Sequence, residues 1–262
     1  SMGSDEEYLE PLDEFETKLG GSIIVEVHDT PRMPTGFKKT KKKKKGKDPV
    51  KELGFANQRY RKGRTYEDYE KYVKKTGQSV VEMDTVNGIR ERGKRLLTMI
   101  FLKNSVMLLF LLPDGTAASV KRVFDYLERG LGLECFKRLF PVFLTDNGSE
   151  FMKVDELELT EDYEYRTKVF YCDPMASWQK PHVEKNHEYI RYVLPKGTSF
   201  ESMTNEKTLL LLNHINSEKR DSLNEHSPYE VSRILLDNRL HEALGLIEIP
   251  ADEVTLIPEL IK

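Results

Sequence analysis

Three carboxylates in this chain sit where patterned segments end or turn. Asp84 lies in the strand-like run SVVEMDTV (79–86), Asp146 follows the apolar start of VFLTDNGSEF (142–151), and Glu184 falls in SWQKPHVEKNHEYIRYVLPKG (177–197). Acids brought together in this way suit a hard divalent cation. Mg2+ takes oxygen ligands and binds through a few carboxylates plus substrate phosphates. Two such ions about 3.5–4 Å apart activate an attacking hydroxyl and stabilise the leaving oxygen of an in-line phosphoryl transfer. The chemistry would be the cutting or joining of DNA strands. Asp146 also has a plainer reading, because Asn147-Gly148 is a common turn dipeptide and Asp146 alone would simply open that turn.

The elements around the acids bear on that choice. The runs 79–86, 95–102 (RLLTMIFL) and 106–112 (VMLLFLL) are strand-like and separated by short polar turns, which predicts an antiparallel meander. Val120, Val123, Phe124 and Leu127 recur at helical spacing within 116–131, with Thr116 or Asp114 as cap. Residues 141–145 and 168–172 read as two further strands, 65–75 has helical composition, and 178–194 and 206–218 have helical patterns. A right-handed crossover makes the fourth strand parallel to one of the first three. Beside the first it would lie about 4.8 Å away, making Asp84 and Asp146 neighbours that repel each other unless a cation sits between them. On the later helix, Val183, Asn186, Ile190, Val193 and Leu194 form an inward stripe, leaving Glu184, Glu188 and Arg191 on an adjoining face. Laid against the strand ends, that face brings the third carboxylate to the other two.

Neighbouring residues receive lesser roles. Glu82 and Glu150 read as solvated or supporting groups rather than ligands. His187 reads as a packing or DNA-contacting residue, since imidazole prefers softer ions than Mg2+. Lys180, Lys185, Arg191 and Lys196 form a basic set suited to the scissile phosphate and flanking backbone. Trp178, the one tryptophan, is read as packing into the core in preference to stacking on a flipped base.

The chain has 262 residues and a formal net charge of −3, but its charge is segregated. Residues 5–19 carry seven acids and one lysine, whereas 38–47 (KKTKKKKKGK) carry eight lysines. Such a run is solvated. Lys41, Lys42, Lys43, Lys44 and Lys45 are its centre, and they bind phosphate backbone by counterion release or serve only as a solubilising linker. No apolar run is long enough for a membrane span, and no signal-peptide pattern opens the chain, so an intracellular, cytoplasmic protein is expected. Cys135 and Cys172 have no Cys-x-x-Cys pairing and read as buried thiols rather than zinc ligands or a disulfide framework. The expected division is an extended N-terminal arm (1–60), a catalytic core (61–245) and a C-terminal tail (246–262).

Four blocks, EMDTVNG (82–88), LTDNGSEF (144–151), YCDPMASWQKPHVEKNHEYIRYVLPKGTSF (171–200) and HINSEKRDSLNEHSPYE (214–230), together resemble the catalytic core of the insertion-sequence-thirty family of bacterial transposases, members of the DDE, retroviral-integrase-like superfamily. The resemblance spans about residues 60–262. It implies an α/β, RNase H-like fold with a five-stranded mixed sheet flanked by helices. It also implies that Asp84, Asp146 and Glu184 are the first, second and third catalytic acids and metal ligands. The implied cofactor is Mg2+ or Mn2+, two ions per site when DNA is bound. The implied partners are double-stranded DNA, at element ends and target, and at least a second copy of the chain. The implied activity is phosphodiester hydrolysis at an element end followed by attack of the freed 3′-hydroxyl on target DNA, in a bacterial cytoplasm with nucleoid association on DNA. The alternative is a transposase-derived DNA-binding or architectural protein that no longer transposes. The interval between the second and third acids implies a surface insertion around Val154–Tyr165. No helix-turn-helix pattern is found in residues 1–60, so salt-sensitive, sequence-tolerant DNA binding is expected.

Overall fold

Alternating and continuous apolar runs carry the chain through three antiparallel strands, β1 (Val80–Asn87), β2 (Arg95–Phe101) and β3 (Met107–Leu112). The computed structural model describes residues 59–89 and 93–262; Lys41–Lys45 and the acidic segment before them lie outside the described residues. Ahead of β1 stands α1 (Tyr66–Thr76), opened by a reciprocal capping box between Thr65 and Asp68 and closed by Gly77 at φ 65°. After β3, Asp114 Oδ1 accepts from the Thr116 backbone N–H, and the Thr116 hydroxyl caps α2 (Ala117–Leu131) through the Ser119 N–H.

The short α3 (Leu133–Leu139) then delivers β4 (Val142–Thr145), and β5 (Lys168–Tyr171) completes the sheet. The order is β3-β2-β1-β4-β5, with β4 parallel to β1 and β5 parallel to β4. This is a five-stranded mixed sheet flanked by helices, the RNase H-like architecture that the resemblance implies. β1 is central, and both of its neighbours are strands.

Side-chain alternation sorts the two faces of the sheet. Phe143 points to α2 and α3, where its ring lies 4.9 Å from Phe124 and 5.6 Å from Phe140. Val142 and Leu144 point the other way, joining Val80, Phe170 and Cys172 beneath Tyr66, Tyr69 and Tyr72 of α1. Burying each such side chain contributes about 2–3 kcal/mol, so both layers are held by substantial apolar area. The edge of β3 is covered by α6 (Asn205–Ser217), after the helix α5 (Pro181–Val193) described below. The Asn216 side chain accepts from Met107 N and donates to Met107 O, 2.9 and 2.8 Å, as a neighbouring strand would.

Two segments differ from the sequence reading. The expected surface insertion is half anchored: α4 (Val154–Glu158) buries Val154, Leu157 and Glu158. Glu158 pairs with Arg64 at 2.6 Å and accepts from Val169 N. The wholly buried Arg166 holds Asp125, Glu128 and the carbonyls of Glu156 and Leu157. The tip, residues 161–165, is exposed, as is Asp155 on the outer side of α4. Beyond α7 (Pro228–Leu235) and α8 (Asn238–Leu244), residues 246–262 pack on the core: Ile249 N donates to Ser217 and Thr255 N to His214, while Leu256, Leu260 and Ile261 rest on apolar side chains.

Candidate active site

The register of β1 against β4 pairs Glu82 with Leu144. Carried two residues further, it sets Asp84 beside Asp146, one position past the end of β4. Asp146 turns the chain and faces the neighbouring strand at once. Its Oδ1 accepts from Gly148 N at 2.9 Å, while its Oδ2 lies 3.9 Å from Lys180 Nζ. Asn147 locks the turn by donating to Cys172 O and accepting from the Tyr60 hydroxyl, 2.8 and 2.9 Å. The two readings of Asp-Asn-Gly are therefore compatible.

Asp84 Oδ1 accepts from Thr85 N, and its Oδ2 lies 3.0 Å from Lys180 Nζ. Its backbone carbonyl accepts from the Thr98 hydroxyl, which in turn stands 2.8 Å from His187 Nε2. Because Thr98 spends its proton on Asp84, His187 Nε2 is the donor in that contact. Burial, with Lys180 and Arg191 nearby, pushes the His187 pKa down to about 4, so the imidazole is neutral at pH 7.

Lys180 is buried, and its ammonium also donates to Met83 O at 3.3 Å. Burial opposes its charge, but Asp84 and Asp146 outweigh that effect and raise its pKa above the ordinary lysine value. Burial raises the pKa of Asp146, Lys180 pulls it back, and Asp84 pushes it up again. A single cation thus holds together two acids that would otherwise repel.

Glu184 is carried by α5, which begins with Pro181 at a position where no N–H is needed. Glu82, on the same face of β1 as Asp84, reaches the start of this helix: its Oε2 accepts from Val183 N at 2.7 Å, and its Oε1 lies 2.9 Å from His182 Nδ1. The carboxylate also complements the positive end of the helix dipole. Val183, Asn186, Ile190, Val193 and Leu194 are all buried, as the helical stripe predicts, and Glu184 is left exposed. Gly88, just past β1, abuts the chain after α5; a Cβ there would lie 2.9 Å from Thr198 O.

Asp84, Asp146, Lys180 and Glu184 line one cavity of about 320 Å3. The aspartates share the Lys180 ammonium, whereas Glu184 stands at the wall. Among the described residues, no three His, Cys, Asp or Glu side chains lie at metal-holding distance. The expected convergence of three acids is thus met for two, with the third on the same cavity. Donors that are hard carboxylate oxygens, already gathered around a positive charge, fit a divalent cation such as Mg2+.

Several expectations are corrected in detail. Lys180, placed with the phosphate-binding lysines, is buried because two acids distant in sequence neutralise it. Arg191 donates to Asn87 O and Leu194 O, pinning the end of β1 to α5, and lines a second groove with Glu184, Glu188 and Lys196. Lys185 and Lys196 are exposed. Of the two readings of Glu150, solvated or supporting, the second holds: it is buried, accepting from the Thr85 hydroxyl and facing Arg95 at 3.7 Å. Trp178 does not enter the core; it is 73% exposed on the turn Ser177–Gln179. That turn is fastened by Gln179, which accepts from Asp173 N and donates to its carboxylate. Cys135 and Cys172 are buried free thiols, as expected, and burial pushes Cys172 up to about 12.

No protein-family model matches the chain. It is 30% identical over 132 residues to the transposase of insertion sequence element IS1086 from Cupriavidus metallidurans, a match covering 50% of this chain and 37% of that one. It is 27% identical over 150 residues to the transposase of IS4351 from Bacteroides fragilis, covering 57% and 43%, and 26% identical over 150 residues to the transposase InsI of IS30C from Escherichia coli, covering 57% and 37%. The chain is a relative of the insertion-sequence transposases. It spans less than half the length of these relatives. Among solved structures, it is similar to the catalytic core domain of BIV integrase, with 18% identity, a TM-score of 0.42, and coverage of 60% of this chain and 94% of that one.

Proposed function

We propose that this chain is the catalytic core of a DNA transposase, with Asp84, Asp146 and Glu184 as its metal ligands and catalytic acids. The observation that carries the reading is the pair of aspartates, one within β1 and one just past the end of the parallel β4, around one buried positive charge, in a cavity that Glu184 also lines. Transposases among its relatives support it.

In this reading water adds to a phosphorus at an element end, and the bridging 3′-oxygen leaves as a hydroxyl. That hydroxyl then attacks a phosphorus of the target, whose own 3′-oxygen departs, so each step makes one P–O bond and breaks another. Mg2+ or Mn2+, two ions when DNA is bound, would supply charge for the attacking and leaving oxygens. Asp84, within β1, and Asp146, just past β4, would hold that charge, and Glu184 would complete the ligand set from α5. Thr98 and His187 fix the backbone at Asp84. Lys185 and Lys196 take the flanking phosphates, joined by Lys41–Lys45 as a sequence-tolerant electrostatic contact. The partners are element ends, target DNA and at least a second copy of the chain, in the cytoplasm and at the nucleoid. Among the described residues, no helix is long and apolar enough to cross a membrane.

The test is strand transfer of a precut, labelled element end into plasmid DNA with Mg2+ or Mn2+. Joined product from the unaltered chain and at least a hundredfold less from Asp146→Asn supports the reading. Equal product from both, or product unaffected by a chelator, contradicts it.

A further inference from the structure

We infer that Lys180 is the resident cation of the aspartate pair, and that a divalent ion enters by expelling its ammonium into the cavity, where it becomes a ligand for a phosphate oxygen. The inference rests on the metal-dependent reading above and goes beyond it by giving one residue two alternating partners.

Three observations carry it. First, Lys180 Nζ stands 3.0 Å from Asp84 and 3.9 Å from Asp146, and its side chain is 3% exposed. A cation held by both aspartates would compete for that same place. Second, no third acid joins the pair among the described residues, although Glu184 lines the same cavity. Two carboxylates and one ammonium leave a residual charge of −1, which a divalent ion in place of the ammonium would cancel. Third, Lys180 is the residue from which α5 begins, and its carbonyl accepts from Glu184 N at 3.3 Å. The lysine and the third acid therefore lie one turn apart on the same element, and expulsion of one and recruitment of the other belong to the same local adjustment.

The flexible four-carbon lysine stem lets the charge swing about its Cα within the cavity that Lys180 lines. A compact ammonium with rotatable donors binds phosphate well as a point charge. In the metal-free chain the same group spares two adjacent carboxylates their mutual repulsion. Trp178, two positions earlier on an exposed turn, reports on any adjustment at the start of α5.

The experiment is amine acetylation of the folded chain, read by mass spectrometry residue by residue, with and without Mn2+ at a concentration shown by calorimetry to saturate. Lys185 and Lys196, both exposed, are the internal references. Lys180 should be protected without metal and acetylate at least fivefold faster with it, while the references stay constant and Trp178 fluorescence shifts over the same titration. Lys180→Met, which has no ammonium to expel, should bind Mn2+ at least fivefold more tightly than the unaltered chain. If Mn2+ binds but Lys180 stays protected, the inference is overturned and the metal-dependent reading stands. If neither protein binds Mn2+ at the aspartates, the metal-dependent reading falls and takes the inference with it. The acetylation arm needs no variant, so a poorly folding Lys180→Met leaves the inference exposed to refutation.

Discussion

Glu82 on β1 accepts a hydrogen bond from the backbone N–H of Val183, the residue before Glu184, at 2.7 Å. Asp84 lies two positions along the same strand on the same face. One short stretch of β1 therefore presents an acid to the cavity and ties down the helix that carries another. A charged hydrogen bond of this kind contributes about 1.5–3 kcal/mol. Glu82→Ala is expected to lower stability by about 2 kcal/mol in urea unfolding and to reduce strand transfer more than tenfold. Glu82→Gln keeps an acceptor for Val183 N and should retain more of both.

The approach of Gly88 to Thr198 O leaves no room for a methyl group. Gly88→Ala must push the post-α5 chain away from β1, at a cost of about 1–3 kcal/mol. Thermal unfolding should show the loss, and limited proteolysis should show cleavage near 197–200 before the rest of the core.

Arg166 is wholly buried and binds two carboxylates and two carbonyls. Arg166→Ala strands those groups and should destabilise the core by about 3 kcal/mol in denaturant unfolding. The arginine secures 154–165 against α2, and neither it nor its partners line the cavity of the aspartates, so at permissive temperature the folded fraction should retain metal binding.

The pKa of His187 is about 4 in the folded chain, below its ordinary 6.5. As pH falls the unfolded chain therefore takes up this proton first, and stability rises with pH in that interval. The His187 contribution is fully present above about pH 6.5 and is lost progressively toward pH 4. In His187→Gln, which keeps a donor for Thr98, that part of the acid destabilisation should disappear from denaturant midpoints measured between pH 4 and 7.

Much of this arrangement is legible in the sequence, and the exceptions have physical causes. The strands announce themselves because β1, β2 and β3 are apolar runs broken by polar turns, and α5 because Val183, Asn186, Ile190 and Val193 keep helical spacing. The parallel placement of β4 beside β1 follows from the crossover, and with it the proximity of Asp84 and Asp146. α3 goes unnoticed because it is a seven-residue helix following α2 across Gly132, too short for its period to register. Lys180 reads as surface charge, and only the fold brings it to two acids that can neutralise it. Trp178 reads as core, but Gln179 and Asp173 hold its turn facing outward. Glu82 had a usable signal: its position two residues before Asp84 places both side chains on one face of the strand.

The most direct test of the account is iron-directed cleavage of the polypeptide. Fe2+ replaces Mg2+ in the folded chain, ascorbate and peroxide generate hydroxyl radicals at the bound ion, and the cut sites are mapped by mass spectrometry. Cuts are expected to cluster around residues 84, 146 and 180–184, to be suppressed by excess Mg2+ and to be abolished in Asp84→Asn with Asp146→Asn. Cuts elsewhere, or cuts that persist in the doubly substituted chain, would show that the aspartate pair is not where the metal binds.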